Sequence, residues 1–195
     1  DFLKLGTPRL FFAISAGNID SMVSHYTARK RLRSTDAYSP GGRRRRPDRP
    51  SLVYADRLHS LFPETPLVIG GIEASLRRFA HYDYWSDRVR QSLLADAPAD
   101  LLVFGMGELP LFMIADRLSS GEDIHEITTI PGTVIKKGIH SPPDDSFHDP
   151  VIVPSFSDVS SDKRAYARAF GMIHAEQDPY RGRRVIQAHP KVQII

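Results

Sequence analysis

Pro66-Leu67-Val68-Ile69-Gly70-Gly71-Ile72-Glu73-Ala74-Ser75-Leu76 reads as a buried strand that stops at a glycine pair and opens into a helix. The apolar run is too short for a helix of its own, and the glycines close it. The same grammar recurs on either side. Arg9 to Ser15 (RLFFAIS) is a second short apolar run, ending at Ala16-Gly17-Asn18. Asp100 to Phe104 (DLLVF) is a third, followed by Gly105-Met106-Gly107-Glu108. Strands that alternate with helices predict an α/β fold, a mainly parallel sheet with helices on its faces. Such sheets bind ligands where the strands end at their carboxyl edge.

Working outward, Asp20 or Asn18 caps a helix through Met22 and His25. Residues 33–50 are polar, hold Pro and Gly, and read as an exposed, mobile loop. Ser51 is the expected N-cap of a helix carrying Leu52, Ala55, Leu58, Leu61 and Phe62. Val89, Leu93 and Leu94 suggest a short helical face. Leu111 to Leu118 is an amphipathic helix that stops at Ser119-Ser120-Gly121. Strands are expected over 133–136, 151–154 and 184–187, and a helix over 162–177 with Ala165, Ala169, Met172 and Ile173 inward. Residues 138–150 read as loop.

The 195 residues contain no cysteine, which excludes disulfides and cysteine-ligated clusters within this stretch. The hydrophobic share, 41%, suits a globular core. No apolar run reaches the length of a membrane span, the first residues do not resemble a secretory signal, and a cytoplasmic protein is the expectation. The chain does not start with Met, so it is expected to begin inside a longer product. Net charge is +3, and Arg43-Arg44-Arg45-Arg46 supplies the excess. That run lacks interleaved aromatics and reads as a solvated loop before it reads as a nucleic-acid contact.

Three loops fall at strand ends. They hold Gly17, Asn18, Asp20 and Ser21; Gly70, Gly71, Glu73 and Ser75; and Gly105, Gly107 and Glu108. Each serves either as a plain turn or as a ligand-facing loop. Behind the second loop come Arg77, Arg78, His81, Tyr82, Asp83, Tyr84 and Trp85. Glu73 can accept a proton or orient an amine, the arginines can clamp an anion, and the aromatics can pack on a planar ligand or another domain. The alternative is that the aromatics are core and the arginines solvated. No catalytic residue and no metal site are expected; His140 and His148 with Asp144, Asp145 and Asp149 lack ligand spacing.

The strings AGNIDSM, YTARKRLR, DAYSP, RPDRPSLVY, GGIEASLRRFAHYDYWSD and FGMGELPL, in this order, closely resemble the amino-terminal half of YgiQ-type radical SAM proteins. The resemblance is strongest from Asp1 to Gly121, and residues 154–179 resemble that family's linker. It implies a Rossmann-like, cobalamin-binding-type accessory domain over 1–137, then a loop and linker segment over 138–195 leading to a radical SAM barrel. It also implies sheet elements ahead of Asp1, and so an incomplete sheet. The full-length protein is expected to bind a 4Fe–4S cluster and S-adenosylmethionine, to be an enzyme, and to have an unknown substrate; this stretch holds neither cofactor. Cobalamin is not expected, because the one D-x-H, Asp123-Ile124-His125, follows a helix and has Thr128 where glycine is needed. The expected partner is the downstream domain of the same polypeptide, with no membrane. Two other readings remain: a stand-alone nucleotide or phosphate-ligand binder using the three loops, and a nucleic-acid module built on Arg43–Arg46.

Overall fold

The computed structural model describes residues 2–36, 39–141, 149–178 and 180–195. Among them, nine strands and seven α-helices alternate, with short 3-10 turns at Phe2–Leu5 and Pro40–Gly42. The strands are β1 (Phe12–Ser15), β2 (Leu67–Gly70), β3 (His81–Asp83), β4 (Arg88–Arg90), β5 (Leu101–Val103), β6 (Thr133–Gly138), β7 (Val151–Ile152), β8 (Val185–Ala188) and β9 (Val192–Ile194). The helices are α1 (Ser21–His25), α2 (Pro50–Leu61), α3 (Gly71–Leu76), α4 (Leu93–Asp96), α5 (Glu108–Ser119), α6 (Phe156–Ser161) and α7 (Lys163–Ala175).

Seven strands form one sheet in the order β1-β2-β5-β6-β9-β8-β7, and β3 with β4 makes a separate antiparallel hairpin. The α/β class and the helix-flanked sheet agree with the pattern of short apolar runs. Parallel pairing holds β1 to β2 and β2 to β5, with Ser15 opposite Gly70 and Ile69 opposite Leu102. β6, β9 and β8 then pair antiparallel, and β7 returns parallel to β8. The expected boundary at 137–138 falls in β6, and β7, β8 and β9 beyond it complete the same sheet.

Strand periodicity divides the core. Leu67 and Ile69 face one side of β2 and Val68 the other, because successive side chains point to opposite faces. The first face packs with Ile14, Leu102, Val134 and Ile194 beneath Ala55, Leu58, Leu94 and Ala169 of the helices. The second packs Val68, Leu101, Val103 and Ile135 against Ile114 of α5 and the turn carrying Ile124, Ile127 and Ile130. Burial on both faces of β2 and β5 explains why those two strands read as continuous apolar runs.

Several local readings change. Ser51 is not the N-cap of α2. The helix starts at Pro50, where a missing N–H costs nothing, and the Ser51 N–H is instead taken by Glu73 from α3 (3.1 Å). Val89 lies in a strand, not on a helical face. Asp162 caps α7, its side chain accepting the Arg164 N–H at 2.9 Å. Asp20 caps α1 as expected, its Oδ1 accepting the Met22 N–H at 3.0 Å.

Candidate functional site

Parallel pairing of β1, β2 and β5 brings their carboxyl ends to one edge of the sheet. The three glycine-bearing loops meet there around a cleft of about 530 Å³. Ser15, Gly17 and Asn18 come from the first loop, Gly71, Ile72, Ser75 and Leu76 from the second, and Gly105 from the third. No side chain in that lining is charged. The backbone demands glycine at its centre: Gly71 has φ +82°, and a Cβ there would come within 2.5 Å of Ser15 Oγ. Ser15 Oγ accepts the Gly17 N–H (3.1 Å), and Ser75 Oγ accepts the Gly105 N–H (3.2 Å). Ser75 itself donates to the Gly71 carbonyl (2.8 Å), so one hydroxyl ties the second loop to the third.

Beneath the cleft lies a polar brace. Glu73 is only 2% exposed. Its Oε2 accepts from the Ser21 hydroxyl at 3.0 Å, and its Oε1 from the Ser51 N–H. Arg77 pairs with Asp20 and donates to the Glu73 carbonyl (3.4 Å). Three helix starts, α1, α2 and α3, are thereby locked together. Both carboxylates have partners within the scaffold, and neither lines the cleft. Arg46 donates to the carbonyls of Ala16 and Ile19 and buttresses the first loop. Arg44 donates to the Arg33 carbonyl at 2.5 Å, while its own N–H goes to Asp36 (2.8 Å). Arg46 thus ties the described part of the 33–50 segment to the first loop, while Arg44 holds that segment to itself.

The remaining predicted residues lie elsewhere. Arg78 donates to the Ser75 carbonyl (2.7 Å), and its guanidinium lies over Phe79 and Phe104, 4.9 Å from the latter ring; burial lowers its pKa. His81, Tyr82 and Asp83 form β3. Burial pushes the His81 imidazole down to about 4, against the opposing contact of Nδ1 with the Phe79 carbonyl. Tyr82 donates to Asp87 (2.5 Å), a bond that raises its pKa. Burial alone would raise Asp83, but the Ser86 hydroxyl, the Arg49 charge and the Trp85 N–H together hold its carboxyl below the usual range. Tyr84 donates to the Ala28 carbonyl (2.6 Å), Trp85 packs on Tyr26 at 3.9 Å between ring centroids, and Lys30 sits 4.8 Å over Tyr84. The hairpin's aromatic tip therefore clasps the 26–31 turn and not the cleft. Gly107 precedes α5, and Glu108 opens it with a charge that favours the helix dipole.

Ser15, Ile72 and Leu76 complete the lining and were not singled out from the sequence. The i, i+4 pair Ile72 and Leu76 was the available signal, because Glu73 and Ala74 turn the other way into the core. Asp123-Ile124-His125 lies past the end of α5, with His125 4.0 Å from Asp100 at the amino end of β5. It is remote from the cleft edge. Of the five residues of the His/Asp loop cluster, Asp144, Asp145 and His148 fall outside the described residues. Among the described residues, no three metal-ligating side chains gather, and no helix is long and apolar enough to cross a membrane.

The family model for the radical SAM N-terminal region matches residues 1–195, the whole chain. The chain belongs to the Radical SAM N-terminal family. UPF0313 proteins are its relatives: one from Methanocella arvoryzae is 51% identical over 195 residues, covering 100% of this chain and 32% of that protein. Another, from Methanosarcina acetivorans, is 49% identical over 217 residues, covering 100% of this chain and 29% of its own length. A third, from Geobacter sulfurreducens, is 50% identical over 189 residues, covering 96% and 31% respectively. This Radical SAM N-terminal chain thus spans about a third of the length of the curated relatives it matches. No solved structure matches it.

Proposed function

We propose that this chain is the substrate-side accessory domain of a YgiQ-type radical SAM enzyme, and that the cleft at the ends of β1, β2 and β5 receives part of the substrate. The uncharged, glycine-walled cleft carries this reading. It sits where parallel sheets take ligands, and its lining offers hydroxyl, amide and aliphatic surface. The same lining disfavours a phosphate or nucleotide ligand, since it contains no cation and Glu108 stands at the start of the nearest long helix. With no cysteine in the sequence, the residues here do not fit a 4Fe–4S cluster. Cluster, S-adenosylmethionine and radical chemistry belong in this proposal to the rest of the polypeptide, in the cytoplasm.

Asn18 is exposed at the cleft and serves as the test position. Asn18→Trp fills the cleft without entering the core. In the reconstituted full-length protein, the variant is expected to cleave S-adenosylmethionine at the basal rate while losing any stimulation of cleavage by a small-molecule cell extract. Stimulation that survives Asn18→Trp would overturn the cleft as the substrate site.

A further inference from the structure

Five large apolar side chains stand exposed on the α3 wall of the cleft and on the loop and helix that follow β5. Ile72 and Leu76 form its α3 wall. Met106 follows Gly105 in the loop that Ser75 ties to α3, and Leu109 and Phe112 continue at helical spacing on the first turns of α5. Their exposures are 45% for Ile72, 64% for Leu76, 82% for Met106, 66% for Leu109 and 70% for Phe112. The inward face of α5 is already satisfied by Pro110 and Ile114, so this outward stripe is surplus to the core. Together the five present on the order of 500 Å² of apolar surface, at the upper end of what a monomer leaves open.

We propose that this rim is the face on which the remainder of the same polypeptide docks. This rests on the reading of the chain as an accessory domain and specifies which surface meets the other part. Two observations select that occupant. In the relatives about two thirds of the length lies outside the matched stretch, and the proposed accessory-domain reading gives this chain a tethered partner of that kind. The patch is also smaller than the roughly 800 Å² per partner that a stable interface between free molecules needs, whereas a tether raises the effective concentration and lets a smaller face suffice. Docking there closes the open mouth of the cleft against the other domain. The aromatic tip Tyr84–Trp85, occupied with the 26–31 turn, is not part of the face.

Peroxide oxidation of Met106 in the full-length protein tests this, read by mass spectrometry against the same residue in the urea-unfolded chain. Met106 is expected to oxidise at least about tenfold more slowly in the native protein. Leu109→Asp and Phe112→Asp, both at exposed positions, are each expected to restore fast oxidation with the far-ultraviolet dichroism unchanged. Native oxidation at the unfolded rate would overturn the proposal. Protection that disappears on dilution would also overturn it, assigning the face to a second copy. The same samples are assayed for 5′-deoxyadenosine after cluster reconstitution. Cleavage with Met106 open sinks only the docking face; absence of both cluster and cleavage sinks the accessory-domain reading itself.

Discussion

Glu73 shows how a residue with the profile of a catalytic base can be an anchor. Its carboxylate is buried and takes one proton donor from α1 and another from α2. Removing it leaves the Ser21 hydroxyl and the Ser51 N–H buried without that partner. Glu73→Ala is therefore expected to lower stability by about 3 kcal/mol in urea unfolding of the full-length protein. Gly71 is the second decisive residue. Gly71→Ala adds a methyl that meets Ser15 Oγ at 2.5 Å, on a backbone at φ +82°. We expect a loss of about 2 kcal/mol, part of it from the clash and part from the backbone. Ser15→Ala removes the clashing oxygen, so the double variant should recover the first part only. Full additivity of the two single changes in that cycle would contradict the close approach.

At the scale of elements, the β3–β4 hairpin and the end of β8 enclose two histidines. His189 is buried, stacked on Phe156 with 5.7 Å between ring centroids, and burial pushes its imidazole down to about 4, as it does that of His81. In the unfolded chain both titrate near 6.5. Between those values the unfolded state binds more protons, so stability is complete above about pH 6.5 and falls as the pH drops toward 4. The urea midpoint should fall between pH 7.5 and pH 5. His189→Phe, which keeps the stack and removes two buried nitrogens without partners, should flatten that fall. An unchanged slope would contradict the burial of a neutral His189.

The elements that were legible in the sequence are those whose signal is local. Apolar runs at 12–15, 67–70 and 101–103 stop at glycines, and α5 and α7 carry helical spacing and clear stops. The hairpin was not legible: His81 to Arg90 mixes aromatic and charged residues without alternation, because its contacts run to the 26–49 segment. Nor was β9, whose three residues matter only through pairing with β6 and β8. The cleft loops were placed correctly as strand-end loops. Which of their side chains turn inward was not legible, since Glu73 and Asp20 find partners 22 to 57 positions away.

At the scale of the whole molecule, the Radical SAM N-terminal family has here a seven-stranded sheet with a cleft at one edge. A chain about a third as long as its relatives supplies a glycine-walled cleft, a hydrogen-bonded brace of buried carboxylates, and exposed apolar side chains on α3, the loop after β5 and α5. The sequence holds no cysteine, so the proposed cluster belongs outside this stretch. The most direct test is formation of 5′-deoxyadenosine by the full-length protein after anaerobic reconstitution with iron and sulfide and addition of a reductant. The account predicts a bound 4Fe–4S cluster and 5′-deoxyadenosine formation, with Asn18→Trp leaving the basal rate intact. A full-length protein that binds no cluster and leaves S-adenosylmethionine intact would contradict it.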